Sequence, residues 1–389
     1  MPSRRCSFCG AVATPARRLV TGPDDVSICM SCAELAVEVF AEDVTPPEPD
    51  VVLTGISTLA TMDHRRGGVL GAEHDVAVVV RRGRVVWLGT HRDMPGAYAG
   101  LPEMACEGRA VVPGMVDAAV SVLGGPVAGG RDPSDLADEG AAALRAMVDR
   151  GVTAVDLRVG GGLDPVLETM SLAVARSLGE RAAARVSVSW RCSDGHTPYQ
   201  LKAVMAPTAA RLARFVVVEC TGDEGRLGET LSAMEPLRAR IVCREPEPVA
   251  CLPHLARAVS VEGVPAHCLA PEGPPPVVPW WEPGAARSAW AVGARPALAS
   301  FSDPASRLLA GMGVVLMAAI DLAGLGFEQA LWSVTRGGAL AGGDPDRGWI
   351  RLGGPADLVV IDGDRPEDLV RRPDGEPAWG VLVGGVEIR

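Results

Sequence analysis

Lysine is almost absent from this sequence. Lys202 is the only one in 389 residues, and the remaining basic charge is arginine. A nucleotide-binding P-loop requires a lysine in the pattern G-x-x-x-x-G-K-[ST], because that side chain reaches the terminal phosphates. The single lysine follows Leu201 and stands in no such pattern. The sequence therefore excludes an ATPase of the P-loop class.

Long apolar runs and aromatic residues are also scarce. The longest apolar stretch, around residues 314–320, is too short to span a bilayer, and no apolar run follows the basic start. Aromatic residues make up 4% of the chain, so a core built mostly of Val, Leu and Ala is expected. The net charge of −11 repels phosphate backbones. We therefore expect a cytoplasmic protein with no membrane and no nucleic-acid partner.

Cysteine is well represented, with ten residues, four of which form a pattern. Cys6 and Cys9, and then Cys29 and Cys32, are two C-x2-C pairs separated by 19 residues. Such pairs can place four thiolates tetrahedrally at about 2.3 Å from zinc. A segment of about 45 residues buries too little surface to fold without such a staple. The sequence predicts one structural zinc, and the other six cysteines are expected to be buried thiols.

The residues around the cysteine pairs extend the pattern. Gly10 follows the first pair, residues 18–23 read Arg-Leu-Val-Thr-Gly-Pro, and Ile28 precedes the second pair. Residues 4–40 resemble the zinc-binding domain of the ClpX unfoldase family. The resemblance implies a dimerising module that binds adaptors and unfolded proteins, so we expect protein partners and a homodimer or larger assembly. The module's apolar residues form either a small core or a dimer surface: Phe8, Leu19, Val20, Ile28, Leu35 and Val39.

After a proline-rich linker the texture of the chain changes. A hairpin is predicted over 75–89, around Arg82-Gly83-Arg84. From residue 136 onward helical patterns alternate with short strand patterns, beginning with a helix over 136–150 and a strand over 152–157. This alternation predicts an α/β fold with a parallel sheet or barrel.

Two segments of this region resemble the amidohydrolase superfamily. Residues 107–117 resemble the entry to its first barrel strand. Residues 331–362, which end in Gly354-Pro-Ala-Asp-Leu-Val-Val-Ile-Asp362, resemble its return to a β-sandwich. Residues 151–164 and 195–199 narrow the match, since they are similar to signatures of imidazolonepropionase.

The two resemblances together imply a domain order. A small treble-type C4 zinc finger is expected over 1–45, a β-sandwich over 46–110 plus 346–389, and a TIM-type (β/α)8 barrel over 111–345. In such barrels the active site lies at the C-terminal ends of the strands.

The metal ligands of the superfamily are missing from this pattern. Its first barrel strand carries His-x-His, which places two imidazoles on one side of the strand. Ala119 and Ser121 take those positions here. The metal-binding Asp at the end of the last strand aligns with Phe301, and Asp303 could replace it only after a two-residue shift of the loop. Without these ligands no side chains bind the metal ion that activates water for hydrolysis. We therefore predict no catalytic residues.

The residues that contact the substrate in imidazolonepropionase are also only partly present in this sequence. His196 matches a substrate-contacting histidine, although it also fits an ordinary loop histidine. Arg131 is an alternative for the substrate arginine, and Asp303 is a further candidate for ligand contact. Gly161 stands where the imidazolonepropionase loop has Tyr.

The leading hypothesis is a protein-binding or dimerising zinc finger attached to a catalytically degenerate, imidazolonepropionase-like barrel that serves as a ligand-binding or scaffold domain. The alternative is a metal-dependent hydrolase that acts on C–N bonds of a cyclic amide through atypical ligands. The first barrel strand, with Ala119 and Ser121, favours the former.

Overall fold

The structure is a computed structural model with two compact units, Met1–Glu48 and Pro49–Arg389. It describes residues 5–7, 12, 19–21, 26–29, 32, 50–123, 132–193, 195–201, 205–235, 237–244, 250–301, 312–371 and 378–388.

The first unit contains a short antiparallel hairpin. Strand β1 (Leu19–Thr21) pairs with β2 (Ser27–Cys29), so that Leu19 lies opposite Cys29. The amide of Ser7 donates to the carbonyl of Ser27 at 2.7 Å. This hydrogen bond fixes the segment that contains the first cysteine beside the strand that ends in Cys29.

Eight strands of the second unit form a mixed sheet, with neighbours in the order β18-β17-β16-β7-β3-β4-β5 and with β6 paired to β3. The sheet unites the two ends of this unit: β3 Val51–Ala60, β4 Ala72–Arg81, β5 Arg84–Thr90, β6 Glu103–Ala105, β7 Val111–Pro113, β16 Leu358–Ile361, β17 Ala378–Val383 and β18 Val386–Glu387. The two-residue turn between β4 and β5 has positive φ at Arg82 (48°) and at Gly83 (71°), as a twisted hairpin requires.

Eight parallel strands follow in chain order between the two halves of that sheet: β8 Met115–Val120, β9 Val152–Gly160, β10 Arg185–Cys192, β11 Phe215–Cys220, β12 Arg238–Cys243, β13 Ser260–Glu262, β14 Val277–Pro279 and β15 Ala297–Ala299. Strands β8 to β13 form one sheet, and β14 and β15 form another. A parallel bridge between Val261 and Pro276 links the two sheets. The amide of Phe301, just after β15, donates to the carbonyl of Ala119 in β8 at 2.9 Å.

Helices lie between the parallel strands: α1 Pro133–Val148, α2 Pro165–Arg181, α3 Ala206–Leu212, α4 Glu224–Ala233 and α5 Pro283–Ala291. Further helices follow β15: α6 Met312–Met317, α7 Phe327–Trp332 and α8 Gly338–Ala341. Asp132, Asp164 and Asp223 accept backbone hydrogen bonds at the starts of α1, α2 and α4. These caps satisfy amides that a helix start leaves without partners. A π-helical turn follows α6, and a second one joins α7 to α8.

The strands separate an outer apolar layer from a polar interior. In β9, Val155, Leu157 and Val159 belong to the large core that includes the helices. Successive strand residues point to opposite sides, so Asp156 and Arg158 point the other way. This alternation explains why buried charges are found on these strands.

Most sequence-based elements are confirmed. The hairpin over 75–89 and the elements over 136–150 and 152–157 are present. The segment 289–299 reads as one run rich in small apolar residues, but it forms the end of α5 and, after a short break, strand β15. Five of the six cysteines outside the finger are buried, and Cys268 is half-buried. Among the described residues, no helix combines the length and the apolar character that a membrane span requires.

Candidate functional site

The finger brings three of its four predicted ligands together. The Sγ atoms of Cys6, Cys29 and Cys32 lie within 4.8 Å of one another, and the amide of Cys29 donates to Sγ of Cys6 at 3.3 Å. A tetrahedral thiolate site needs sulfurs this close, and an amide donor favours the thiolate form. The cluster therefore fits zinc. Cys9 lies outside the described residues.

The hairpin of the finger exposes apolar surface. Val20 is 73% exposed and Val26 is 50% exposed, while Leu19 and Ile28 are half-buried. The other apolar positions, Phe8, Leu35 and Val39, fall outside the described ranges. Zinc ligation does not by itself require valine at an exposed position.

The first parallel strand has no ligand where the superfamily has histidines. Ala119 is buried in a small cluster with Ala297, Ala299 and Phe301. Ser121, half-buried, follows the end of the strand. The position predicted to lack a metal ligand therefore packs as ordinary apolar core.

Asp117 is a buried acid on this same strand. Its Oδ1 accepts from the amides of Ala119 at 3.3 Å and Ser300 at 3.1 Å. Burial is the dominant influence and raises the pKa of Asp117 to about 6, although the hydrogen bonds from Ser300 and Ala119 oppose it. A carboxyl with this pKa exchanges a proton near neutral pH.

Asp156 lies at the centre of a buried polar network. The hydroxyls of Ser187 and Ser189 each donate to its Oδ1 at 2.8 Å. Nε of Arg240 lies 3.2 Å from its Oδ2, and Nε of Arg158 lies 3.8 Å from the same oxygen. One carboxylate therefore faces two guanidinium groups, of which that of Arg240 is buried and that of Arg158 is half-buried.

Arg240 and Arg158 find further partners on neighbouring elements. Arg240 donates to Oγ of Ser260 at 2.8 Å, and its guanidinium lies 4.3 Å from the Phe215 ring centre. Burial lowers the pKa of Arg240. Arg158 pairs closely with Glu262, and although burial opposes its charge, the carboxylates raise its pKa.

Aromatic side chains cover the C-terminal end of the strands beside this network. The Phe301 ring centre lies 5.3 Å from the Arg158 guanidinium, and Trp281 packs edge-on against Phe301 at 5.5 Å. Phe301 has φ of 48°, which non-glycine residues seldom adopt. The ring therefore stands over the cation at the position where the superfamily Asp was aligned.

The opposite end of the strands contains a cavity of about 200 Å³. Its lining includes Asp156, Ser187 and the arginines Arg185, Arg214 and Arg347. Small residues in the interior leave this space, and the carboxylate of the network borders it.

His196, the predicted substrate contact, is buried in the loop after β10. Its Nδ1 lies 3.2 Å from the carbonyl oxygen of Ser193, and its ring meets Trp190 edge-on at 5.9 Å. Nε2 is buried and has no hydrogen-bond partner among the described residues. Arg131 and Asp303 lie outside those residues, so the grouping of these three contacts stays a prediction.

Guanidinium groups, and no cluster of metal ligands, lie in the described part of the interior of the parallel strands. Within the described ranges, the finger contains the only group of three His, Cys, Asp or Glu side chains with ligand atoms in close proximity. Arg158 and Arg240 instead place fixed positive charges beside Asp156 and Glu262. A cation entering this site would be repelled by both guanidinium groups.

The sequence interpretation missed this network. Asp156 and Arg158 are separated by one residue in β9, and Arg240 directly precedes the apolar residues 241–243. Charges at alternate positions of a strand were the available signal, but the sequence does not show which strands face one another.

Comparisons with known families cover the two ends of the chain. Residues 4–42 match the ClpX C4-type zinc finger, and residues 316–388 match the amidohydrolase family. The imidazolonepropionase of Ruegeria sp. (strain TM1040) is 39% identical over 94 residues, 24% of this chain and 23% of that protein. That of Paracoccus denitrificans (strain Pd 1222) is 39% identical over 59 residues, 15% and 14% respectively. The chain thus matches less than a quarter of the length of these relatives.

Solved structures are similar over most of the chain. Ochratoxinase of A. niger superposes with a TM-score of 0.67 at 13% identity, over 88% of this chain and 96% of that one. The 5-methylcytosine deaminase from Klebsiella pneumoniae, liganded with phosphonocytosine, gives a TM-score of 0.67 at 16% identity, over 87% and 98%. At these identities the likeness concerns the fold alone. The chain joins a ClpX-type C4 zinc finger to a domain with the amidohydrolase fold.

Proposed function

We propose that the zinc finger is a protein-binding and dimerising module, and that the larger unit is a catalytically degenerate, imidazolonepropionase-like domain serving as ligand-binding or scaffold element. The partners would be adaptors or unfolded proteins, as in the ClpX resemblance. We further propose that the eight parallel strands close into a (β/α)8 barrel with the mixed sheet as its sandwich, and that the finger has a treble-type fold.

The main support for the proposed loss of activity is that side chains of this unit fill the interior of the parallel strands. Ala119 packs against apolar neighbours, and Arg158 and Arg240 neutralise the nearby carboxylates. Metal-assisted hydrolysis requires a cation to lower the pKa of water to about 7. An interior with two guanidinium groups instead supports a structural or binding role.

The exposed valines support the role of the finger. Val20 and Val26 expose apolar surface, because this unit is too small to bury all of its apolar residues. An associating partner would remove that surface from water, which provides a driving force for binding.

Activity measurements test the degenerate barrel. Purified full-length protein supplied with zinc, iron or manganese should leave imidazolonepropionate unchanged beyond background. Turnover that a chelator abolishes and that Asp303→Ala also abolishes would instead establish the metal-dependent hydrolase.

A further inference from the structure

A groove of about 680 Å³ lies on the second unit, away from the aromatic cover of Phe301. Residues that line it precede β14 and β15, namely Pro276 and Arg295, so it opens at the N-terminal ends of these strands. Superfamily active sites lie at the opposite end. The groove is therefore a site separate from the one already described.

The charge of this groove is opposite to that of the chain. Arg65, Arg295 and Arg336 line it, and no Asp or Glu is among its lining residues. The whole chain has a net charge of −11. Three arginines facing a common space without a carboxylate attract an anion, because each positive charge there adds to the same potential.

Among the described residues, Arg295 and Arg336 have no carboxylate partner. Arg65 is paired with Asp63 through two hydrogen bonds of 2.8 Å. The hydrogen bonds described for Arg336 go to the backbone carbonyls of Pro345 and Arg347 through Nη1. No ion pair involves Arg295 in the described part of the chain. Burial, and next the charge of Arg351, lower the pKa of Arg336, and a bound anion would counter both effects.

The acids nearest to Arg336 are already paired. Asp344 lies 2.9 Å from Nε of Arg347, and Asp346 pairs with Arg351. They raise the pKa of Arg336 only as lesser influences. The positive charge of the groove therefore persists in spite of them.

The arginines of the groove lie over the rings of tryptophan side chains. The guanidinium of Arg336 lies 4.6 Å from the ring centre of Trp349, and that of Arg295 lies 5.5 Å from the ring centre of Trp332. Nε1 of Trp349 is buried and has no acceptor among the described residues. A buried donor without an acceptor costs free energy that a ligand oxygen would recover.

Apart from His64, the remaining walls are apolar. They comprise Met62, Val69, Leu340 and prolines 271 and 274–276. Pockets of this volume, with apolar walls and few polar groups, are typical of small-molecule sites. The apolar walls accommodate a hydrophobic body, and the arginines accommodate its acidic group.

We propose that this groove binds a small planar anion, of the class of aromatic carboxylates, with the carboxylate at Arg295 and Arg336 and the ring against the apolar wall of Met62, Val69 and Leu340. The site is independent of the finger and of any chemistry in the strand interior. Its failure would leave the proposed association and the proposed loss of hydrolysis untouched.

The test uses full-length protein and naphthalene-2-carboxylate as probe, with binding measured by calorimetry and by quenching of tryptophan fluorescence. Naphthalene-2-carboxamide has the same ring without the charge. We expect the carboxylate to bind about tenfold more tightly than the amide, as a charge-assisted hydrogen bond provides. Equal binding of the two, or no saturable binding of the carboxylate, would overturn the proposal.

Substitutions locate the site. Arg295 is exposed, so Arg295→Ala should leave the fold intact and weaken the carboxylate about tenfold without affecting the amide. Arg109→Ala is the matched control, because that guanidinium also stacks on a tryptophan, Trp379 at 4.5 Å, outside the groove. An equal loss in both variants would contradict the assignment. Arg336→Gln provides a second variant, and its retention of full affinity would exclude Arg336 from the site.

Discussion

Asp117 offers a direct test at the scale of one residue. Its pKa is raised by burial to about 6, whereas an unfolded Asp titrates near its ordinary value of 3.8. The folded state therefore binds more protons between these two pH values, and the Asp117 contribution to stability falls as pH rises through this window. Asp117→Asn removes the titration and retains an oxygen that accepts the two amides.

Urea unfolding of both proteins at pH 4 and pH 7 measures this effect. The variant should gain stability relative to the natural chain as pH rises, by at most about 3 kcal/mol. Asp132→Asn is a control of opposite sign, because the hydrogen bonds from Ser134 lower the pKa of the exposed Asp132. A difference that is constant with pH at Asp117 would contradict the burial argument.

The pairing of Arg240 with Asp156 yields a second residue-scale prediction. Arg240→Met leaves Asp156 charged and short of a partner, which should cost about 3 kcal/mol of unfolding free energy. In Arg240→Met with Asp156→Leu both charges are gone, so we expect at least half of that loss to be recovered. Urea unfolding of the single and double variants measures the coupling. Additive losses would show that the two charges do not stabilise each other.

The sequence predicted part of this site. The absence of His-x-His, with Ala119 and Ser121 in its place, could be predicted because this motif lies within one strand. The ion pairs of Arg158 with Glu262 and of Arg240 with Asp156 could not be predicted from the sequence, since each joins two strands that are distant in the chain. Their partners follow from strand order and register, which a single sequence does not specify.

At the scale of elements, the cysteine hairpin carries a metal prediction. Elemental analysis of full-length protein should find one zinc per chain, and Cys29→Ser should lose it and unfold the finger, because a small unit depends on its metal. Cys106→Ser is the matched control. Burial raises the pKa of Cys106 to about 12, so that thiol does not supply a thiolate ligand. A stoichiometric metal that survives Cys29→Ser would place it in the second unit.

Strands and helices with local signals were predicted more accurately than their ends. The turn at Arg82-Gly83 is marked by its sequence and was predicted. The helix predicted over 136–150 begins instead at Pro133, after the cap at Asp132. The run 289–299 was harder, because the same small apolar residues end α5 and then form β15. Small residues suit both a packed helix and an interior strand, so periodicity does not distinguish them.

At the scale of the whole molecule, association is the property that the finger should control. The full-length chain should be a dimer or larger in solution at micromolar concentration. Deleting residues 1–45 should reduce the mass measured by light scattering to that of one chain. The unfolding transition of the second unit should change little, because that unit has its own core. A monomeric full-length protein would contradict this prediction.

A single charge distinguishes association through the finger from a general effect of truncation. Val20 is 73% exposed, so Val20→Asp leaves the hairpin intact and yet places a charge where a partner surface would bury it. We expect the variant to keep its zinc and to have the mass of a monomer. Leu352→Asp is the matched control, since Leu352 is 55% exposed on the second unit. If Val20→Asp remains a dimer while Leu352→Asp dissociates, the association surface lies on the amidohydrolase domain and the finger binds other proteins only.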